Sequence, residues 1–556
     1  MGVGDKFGRA RALFSKIGKL RWAFPLVGFL SLVWFLIRVI PKPSRAGYPC
    51  QRATFPIASG FVLWLVGIVT SFLFFRRAQE RMHQARYVLG MVSFAVAIFV
   101  LGVTYIGTPA ENASATDESP FIPIDAPNDP VGKGRGIHPG RVVWIHNADA
   151  TSWNGKSGHF WQAENTWWQA KNTDHEIVAS MLSRSLQTLA GKSNDQAAWQ
   201  ALFEDFNTRR GKGPVAYQPG EHIAIKLNLN QVRSYKHYKN ALYPSPQLVL
   251  ALLRQLVEVA GVPPAQIALY DITKYIPETL LNPVQAAFPG VRFIDWEGGP
   301  GRQQYERDTS VMVHWSEELT LEHGGGNPTF LPRCVTQAEY VINVGNFKGH
   351  RLVGVSFCAK NHFGSISVSR ADRGGIPWQT APQAAGLHPY IAVHDYKIGN
   401  RRWESYERPM STYNPIVDLM GHQHLGEKTL LFMVDGLYAT GMENDHLETR
   451  HRFQSPPFNG DWTSSLFLSQ DGVAIESVCL DFLRTEPTQE NVYGTVDNYL
   501  HEAASAHNPP SGTSYDPDGD GVPLSSLGVH EHWNNPIDKA YSRNLGTGSG
   551  IELVKP

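Results

Sequence analysis

Three unbroken apolar runs open the chain, and beyond them the period of the hydrophobic positions changes. "WAFPLVGFLSLVWFLIRVI" (22–40), "PIASGFVLWLVGIVTSFLFF" (56–75) and "YVLGMVSFAVAIFVLGVTYIG" (87–107) are each long enough to cross about 30 Å of hydrocarbon as a helix. Six basic residues between Lys6 and Arg21 precede the first run, and Arg76, Arg77, Arg81 and Arg86 separate the second from the third. The positive-inside rule puts both basic groups in the cytoplasm, although Lys42, Arg45 and Arg52 in the opposite loop weaken the asymmetry. The expected organisation is a basic cytoplasmic segment (1–21), three transmembrane helices in the lipid bilayer (22–107), a linker (108–136) and an extracytoplasmic α/β domain (137–556). This describes an integral protein of a bacterial inner membrane with its large domain in the periplasm. A cleaved signal peptide is the competing reading of the first run, but that run is long, ends near Arg38 and lacks a small-x-small cleavage pattern. The linker, rich in Pro, Ser, Asp and Gly, has no apolar period.

From residue 140 onward, short β-branched apolar runs alternate with longer amphipathic ones. That alternation predicts an α/β fold, a mainly parallel sheet with helices on both faces. Strands are predicted over 141–146, 222–230, 267–271, 340–344 and 429–436. Helices are predicted over 174–191, opening on Asp174 and closing on Gly191, over 244–261, and within 469–486 with Ser469 or Asp471 near the cap.

The strand ends carry the chemistry. In "HIAIKLNLN" (222–230) strict alternation sends Ile223, Ile225, Leu227 and Leu229 to one face and Lys226, Asn228 and Asn230 to the other. A second strand closes on Asp271, a third leads into Asn343, Asn346 and Lys348, and a fourth stops at Asp435-Gly436. Ligands of open parallel sheets bind beyond the carboxyl ends of the strands, so these endings point to one crevice. Taken singly, each is as well read as a hydrogen-bonded turn residue.

Composition removes several functions. The 50 basic and 50 acidic residues cancel, and no basic stripe interleaved with aromatics is present, so nucleic acid is not an expected partner. The four cysteines, Cys50, Cys334, Cys358 and Cys479, form no CxxC pair, which speaks against an iron–sulfur cluster or a structural zinc site. Nucleophile-elbow, Walker, HExxH and dinucleotide-binding motifs are absent. Aromatic clusters such as "HFWQAENTWW" (159–168) read as groove lining or, more simply, as core.

"AEYVINVGNFKGHRLVGVSFCAKNHFGSIS" (338–367) gathers two lysines, two histidines and three asparagines, Asn343, Asn346 and Asn361, among glycines and apolar residues. It resembles the signature of the domain of unknown function 362 family: an apolar strand, Lys-x-His, a glycine four residues on, then Lys-Asn before Phe-Gly. The resemblance continues at "IAIKLNLN" (223–230) and "SQDGVAIESV" (469–478) and covers most of 140–540. It implies no general reaction, and the cluster-binding module of some relatives has no counterpart here. The spacing His350, Gly354, Lys360 is also similar to a run in the nickel-pincer lactate racemase family, whose lysine tethers a pyridinium-derived cofactor. The chain departs from that run, with Cys358-Ala359 before the lysine and no His-Thr-Arg-Pro motif upstream.

Physically, Lys348 and Lys360 supply charge, and a Lys360 desolvated by Val355, Phe357 and Phe363 is a candidate base or amine nucleophile. His350 and His362 are candidate proton carriers or metal ligands. The alternative is structural: Lys360 paired with Asp435 or Asp471, and His362 in a turn. Asp516, Asp518 and Asp520 begin like a calcium loop, but Leu527 stands where its bidentate acid belongs. His530 and His532, two apart, share one face of an extended segment and are candidate transition-metal ligands with Asp271, Asp435 or Glu531; His422 and His424 repeat that spacing.

The expected function is a membrane-anchored enzyme, an isomerase or oxidoreductase, acting on a small anionic or carbonyl-bearing substrate. Lys360, His350, Lys348 and Asp435 would be catalytic, and Lys226, Asn228, Asn343, Asn361 and Asp471 would bind substrate. A divalent metal, calcium at 516–520 or a transition ion near His350 or His530, is the expected cofactor. A non-catalytic protein that binds a ligand, metal or partner at the membrane surface is the alternative. A transporter is disfavoured, because the three spans carry no acidic residue.

Overall fold

The computed structural model describes residues 121–156, 165–236, 240–319, 329–366, 384–393, 408–488 and 492–556, together with short helical pieces between 29 and 96. The chain divides into two units, Met1–Thr116 and Asp117–Pro556. In the first unit the longest described pieces are helical over 29–37, 72–81 and 91–96. Among the described residues, no helix is long and apolar enough to cross a membrane. A span needs about 20 residues, and these pieces fall well short of it. The expectation of three transmembrane helices is corrected accordingly, and with it the integral-membrane and periplasmic placement. The basic segment 1–21, the loop 41–56, the linker up to residue 120 and the rest of the three apolar runs lie outside the described residues.

In the second unit, strands and helices follow the local signals. Strand β1 (Arg141–His146) alternates Val142 and Trp144 into one apolar layer and Val143 and Ile145 into another. Helix α1 (His175–Ala190) starts where the Asp174 side chain accepts the Ile177 N–H and stops at Gly191, whose φ of 64° is left-handed. Helix α2 (Asp195–Arg209), capped by Asn194, buries Trp199, Leu202, Phe203 and Phe206 on one stripe. Strand β2 (Ile223–Leu227) leads to α3 (Pro246–Arg254), which Ser245 caps and a π-helical turn (Gln255–Val259) extends. Next come β3 (Ile267–Asp271), α4 (Glu278–Ala287), β4 (Arg292–Asp295) and the short β5 (Gln303–Gln304). The long strands β6 (Tyr340–His350) and β7 (Thr429–Thr440) are buried throughout. Strand β8 (Ser465–Ser469), α5 (Gly472–Arg484), α6 (Asn498–Ala504) and β9 (Glu552–Val554) complete the frame.

These strands form one sheet in the order β9-β1-β8-β7-β6-β2-β3-β4-β5, with Gly354–Val355 folded back on β6. The sheet is mixed: one antiparallel strand interrupts an otherwise parallel order. Strand β8 runs antiparallel to both β7 and β1, whereas β7, β6, β2, β3 and β4 pair in parallel. No α-helix intervenes between Thr440 and Ser465, and without a crossover helix the returning strand pairs antiparallel.

Helices lie on both faces. α1 to α4 pack with Ile223, Ile225, Leu227 and Met433 on one side, and α5 and α6 pack with Val341, Phe347, Val434 and Phe467 on the other. Ala224 belongs to the second layer, and Lys226, two residues on, shares its face.

Candidate functional site

Lys226 is fully buried at the carboxyl end of β2. Its Nζ donates to Asp271 Oδ2 at 3.0 Å, Asn361 Oδ1 at 2.9 Å and the Leu227 carbonyl at 2.6 Å. The parallel register of β2 and β3 sets Lys226 beside Tyr270, one residue before its carboxylate partner. Gly364 covers the pair: a Cβ there would lie 2.5 Å from Lys226 Nζ and 2.8 Å from Asp271 Oδ1, so only glycine allows the backbone so close.

The Lys-Asn loop is tied to the same point. Asn361 Nδ2 donates to Asn343 Oδ1 (2.8 Å) and the Val344 carbonyl (3.1 Å), and Asn343 Nδ2 donates to the Cys358 carbonyl (2.9 Å). His362 Nε2 lies 3.2 Å from Asn343 Nδ2. Burial, helped by Lys226, pushes the His362 imidazole down to about 3, so it stays neutral.

Beyond this knot, three more lysines face one another. Lys348, on β6, is buried and, among the described residues, donates to the neutral Asn228 Oδ1 at 3.2 Å. Burial brings it down to about 7; Glu443 pulls the other way, and Lys274 and Lys226 push it down further. Lys360 projects from the short helix Cys358–Asn361 with its Nζ 3.5 Å from the centre of the Phe363 ring. Burial takes it well below the usual lysine range; Glu443 opposes the shift, and Lys348, Lys274 and Lys226 reinforce it. Lys274 is lowered to about 8 by burial and Arg233. Among the described residues, neither Lys348 nor Lys360 has a carboxylate within 4.0 Å.

His350 closes the row. Its Nδ1 accepts the Leu352 N–H (3.1 Å), which leaves the proton of the neutral ring on Nε2. Glu443 Oε2 is 3.8 Å away, and the ring stacks on His388 with centroids 5.7 Å apart. Burial, then Lys360 and Lys348, holds this imidazole well below its ordinary range. The cluster therefore has four lysines and one neutral histidine facing two carboxylates, Asp271 and Glu443.

The motif order across β6, the Lys-Asn loop, β7 and α5 decides the family. A family model described as a domain of unknown function, DUF362, matches residues 305–481. This chain carries a DUF362 domain. No curated protein and no solved structure matches the chain, so the racemase likeness rests on the spacing of His350, Gly354 and Lys360 alone. Lys348, His350, Lys360 and Glu443 lie inside the DUF362 match, whereas Lys226, Asn228, Asp271 and Lys274 precede it.

Two expected site residues of the DUF362 segment stand apart from the lysines. Asp435 Oδ2 accepts the Ser245 N–H (2.7 Å) and its Oδ1 accepts the Leu437 N–H (3.1 Å), which anchors the start of α3 on the opposite face of the sheet. Asp471 caps α5 through the Val473 and Ala474 N–H groups, and its second oxygen accepts those of Arg135 and Val529. Neither acid pairs with Lys360. Asn228, Asn343 and Asn361 do join the cluster.

Two of the three aspartates of the acidic loop turn inward on its own backbone, and the third bonds to the backbone of a distant segment. Asp516 accepts the Gly519, Asp520 and Gly521 N–H groups, Asp520 accepts that of Val522, and Asp518 accepts that of Gln423. Among the described residues, these carboxylates do not converge as a ligand set. His422 and His424 bond to the Met312 carbonyl and to Lys428. His530 and His532 sit in a different cluster, with His501, Asp497 and Asp125.

Lys274 and Glu443 escaped sequence reasoning. Their signal was positional: "DITK" places Lys274 three residues past a strand-ending aspartate, and "GLYATGME" carries Glu443 just beyond β7. The aromatic run 159–168 lies partly outside the described residues; within it, Trp167 is core, packed on Tyr243 and Tyr438.

Proposed function

We propose that this lysine cluster is the active site of an enzyme acting on a small anionic substrate that also bears a carbonyl group. The observation that carries the reading is the pair Lys348 and Lys360, two amines with no carboxylate within 4.0 Å among the described residues, in a desolvated site already holding the Lys226–Asp271 pair. A buried ammonium without a counter-ion is costly. Such a site is stabilised when an anion enters or when the amines give up their protons, and both states serve catalysis.

Lys226, whose amine burial lowers and the Asp271 carboxylate beside it supports, polarises the substrate. Lys348, poised near neutrality, gives and takes a proton. Lys360, which burial brings well below the usual lysine range, acts as a base or adds to the carbonyl carbon, with water as the leaving molecule. Proton transfer at a carbon next to a carbonyl, an isomerase-type reaction, uses all three roles.

The test is a screen of small 2-oxo and 2-hydroxy acids, with borohydride added to reduce any imine and mass spectrometry to locate it. Turnover that disappears in Lys360→Ala while substrate affinity stays within a few-fold supports the enzyme. Affinity lost in Lys360→Ala, with no substrate converted by the unaltered chain, replaces it with a binding protein.

A further inference from the structure

A second cluster lies outside the lysine cluster, where a segment arriving from before β1 meets α5, α6 and the short strand Val529–His530. Asp497 immediately precedes α6 and His501 follows it by one helical turn, so both present to the same side. His530 and His532 alternate along an extended stretch and share a face. Asp125 enters from the segment 121–130, which is held there by the Asn128 N–H donating to the His532 carbonyl at 2.9 Å.

Asp125 Oδ2, Asp497 Oδ2, His501 Nε2, His530 Nε2 and His532 Nε2 are all buried and have no hydrogen-bond partner among the described residues. Five buried atoms of metal-ligand type in one place, none with a well-directed hydrogen bond, are outside the usual behaviour of buried polar groups. They also face one another. His501 Nε2 lies 2.8 Å from Asp125 Oδ2 and 3.5 Å from Asp497 Oδ2. His532 Nε2 lies 3.8 Å from Asp497 Oδ2, and His530 Nε2 lies 4.0 Å from Asp125 Oδ2. Within the trio Asp125, His501 and His530, and within the trio Asp497, His530 and His532, all ligand atoms fall within 4.8 Å of one another. Ligands bound at about 2.1 Å stand about 3 Å apart when adjacent and about 4.2 Å apart when opposite. The four separations given, 2.8 to 4.0 Å, are close to this range, and the 4.8 Å limit of the two trios lies somewhat above it.

The far sides of the rings are prepared as well. His532 Nδ1 meets Asp481 Oδ1 at 2.7 Å, and His530 Nδ1 meets Ser477 Oγ at 2.8 Å. Asp481 is itself fixed by the Trp533 N–H (2.8 Å) and the Tyr541 hydroxyl (2.9 Å). A carboxylate on Nδ1–H turns the Nε2 lone pair of that ring toward the cluster, the usual support for a metal-bound histidine.

We propose that Asp125, Asp497, His501, His530 and His532 bind one divalent first-row transition-metal ion, and that this ion pins the segment 121–130 to the α/β unit. Three imidazoles favour manganese, iron, cobalt, nickel or zinc over calcium and magnesium, which take oxygen ligands. Two carboxylates neutralise the ion. Asp125, with 22 % of its side chain exposed, is the most accessible ligand and closes the site last, because the four others are at most 8 % exposed.

The experiment uses the full chain, stripped with a chelator and titrated with cobalt(II), read by visible absorption and metal analysis, with hydrogen exchange followed over 121–130. One equivalent is expected, with slower exchange in that segment once it is bound. Asp481→Asn is expected to weaken binding by about 10- to 100-fold, and His530→Gln by at least as much. Asp125→Asn, at the accessible ligand, serves if His530→Gln fails to fold; a Lys348→Met, Lys360→Met double variant is expected to leave the stoichiometry unchanged. The proposal is overturned if folded, unaltered protein takes up no cobalt, zinc or manganese. It is equally overturned if cobalt binds as tightly to whichever of the His530→Gln and Asp125→Asn variants folds.

Discussion

Lys226 Nζ and Asp271 Oδ2 stand 3.0 Å apart beneath the backbone of Gly364, and both side chains are at most 4 % exposed. An ion pair so enclosed is strongly destabilising when halved, because the surviving charge has no water to turn to. Asp271→Asn is expected to lower the stability of the chain by about 3–5 kcal/mol in urea unfolding. The double variant Lys226→Met, Asp271→Leu is expected to cost much less. A single variant as stable as the parent would show that water reaches the pair.

Gly364→Ala tests the same place from the backbone side. The new methyl would have to displace Lys226 Nζ or Asp271 Oδ1, and neither can move without giving up its partner. The expected loss is about 1–3 kcal/mol, typical of overpacking. Unchanged unfolding would mean that the loop Cys358–Ser365 lies farther from β2 than its hydrogen bonds indicate.

Lys348 sets a dependence on pH. In the unfolded chain its amine titrates near 10.5 and in the fold near 7, so between these values the unfolded state binds more protons. Its penalty on the fold is therefore full below about 7 and fades as pH rises toward 10.5. The unfolding free energy attributable to this group is expected to rise across that window, and Lys348→Met should remove that part of the slope. A parent and variant with parallel curves would contradict the assignment.

Anion binding has the opposite dependence. The charged form of Lys348 attracts the ligand and is lost above about 7, so affinity for a simple carboxylate is expected to fall as pH rises through that value. At pH 8, binding should draw protons from solution, which calorimetry in buffers of different ionisation enthalpy detects. Proton release would argue against an anion beside this amine.

Asp471 is expected to act on stability alone. Its carboxylate accepts four backbone N–H groups, from Val473, Ala474, Arg135 and Val529. Replacement by alanine should cost about 2 kcal/mol or more through the lost cap and the exposed donors. Anion affinity at the lysine cluster should remain within two-fold of the parent, and a larger change would return Asp471 to the site.

The reading from sequence succeeded where a local rule had one solution. Alternation in 222–230 sent Lys226 and Asn228 away from Leu227, and the cap residues of α1 stand where Asp174 and Gly191 foretold. It failed where distant pairing decides. Asp435 and Asp471 look like site acids in a one-dimensional list, yet backbone donors brought in by Ser245 and Arg135 claim them. The antiparallel course of β8 depends on its neighbour rather than on its own residues. Asp125, Asp497 and His501 gave no signal, because ligands spaced so far apart become a set only when the chain has closed. The apolar runs near the start were read by length alone, and the described helical pieces are too short to span.

The DUF362 match begins after β5 and ends within α5, so it holds β6, β7 and β8 but neither β2 nor β1. The stretch by which the family is recognised is thus the middle of a sheet cut on both sides. Made alone, it would offer two long unsatisfied strand margins to any passing chain. It would also own Lys348 and Lys360 without Lys226 or Asp271, so what is inherited as one module and what can fold and carry the site as one body have different borders.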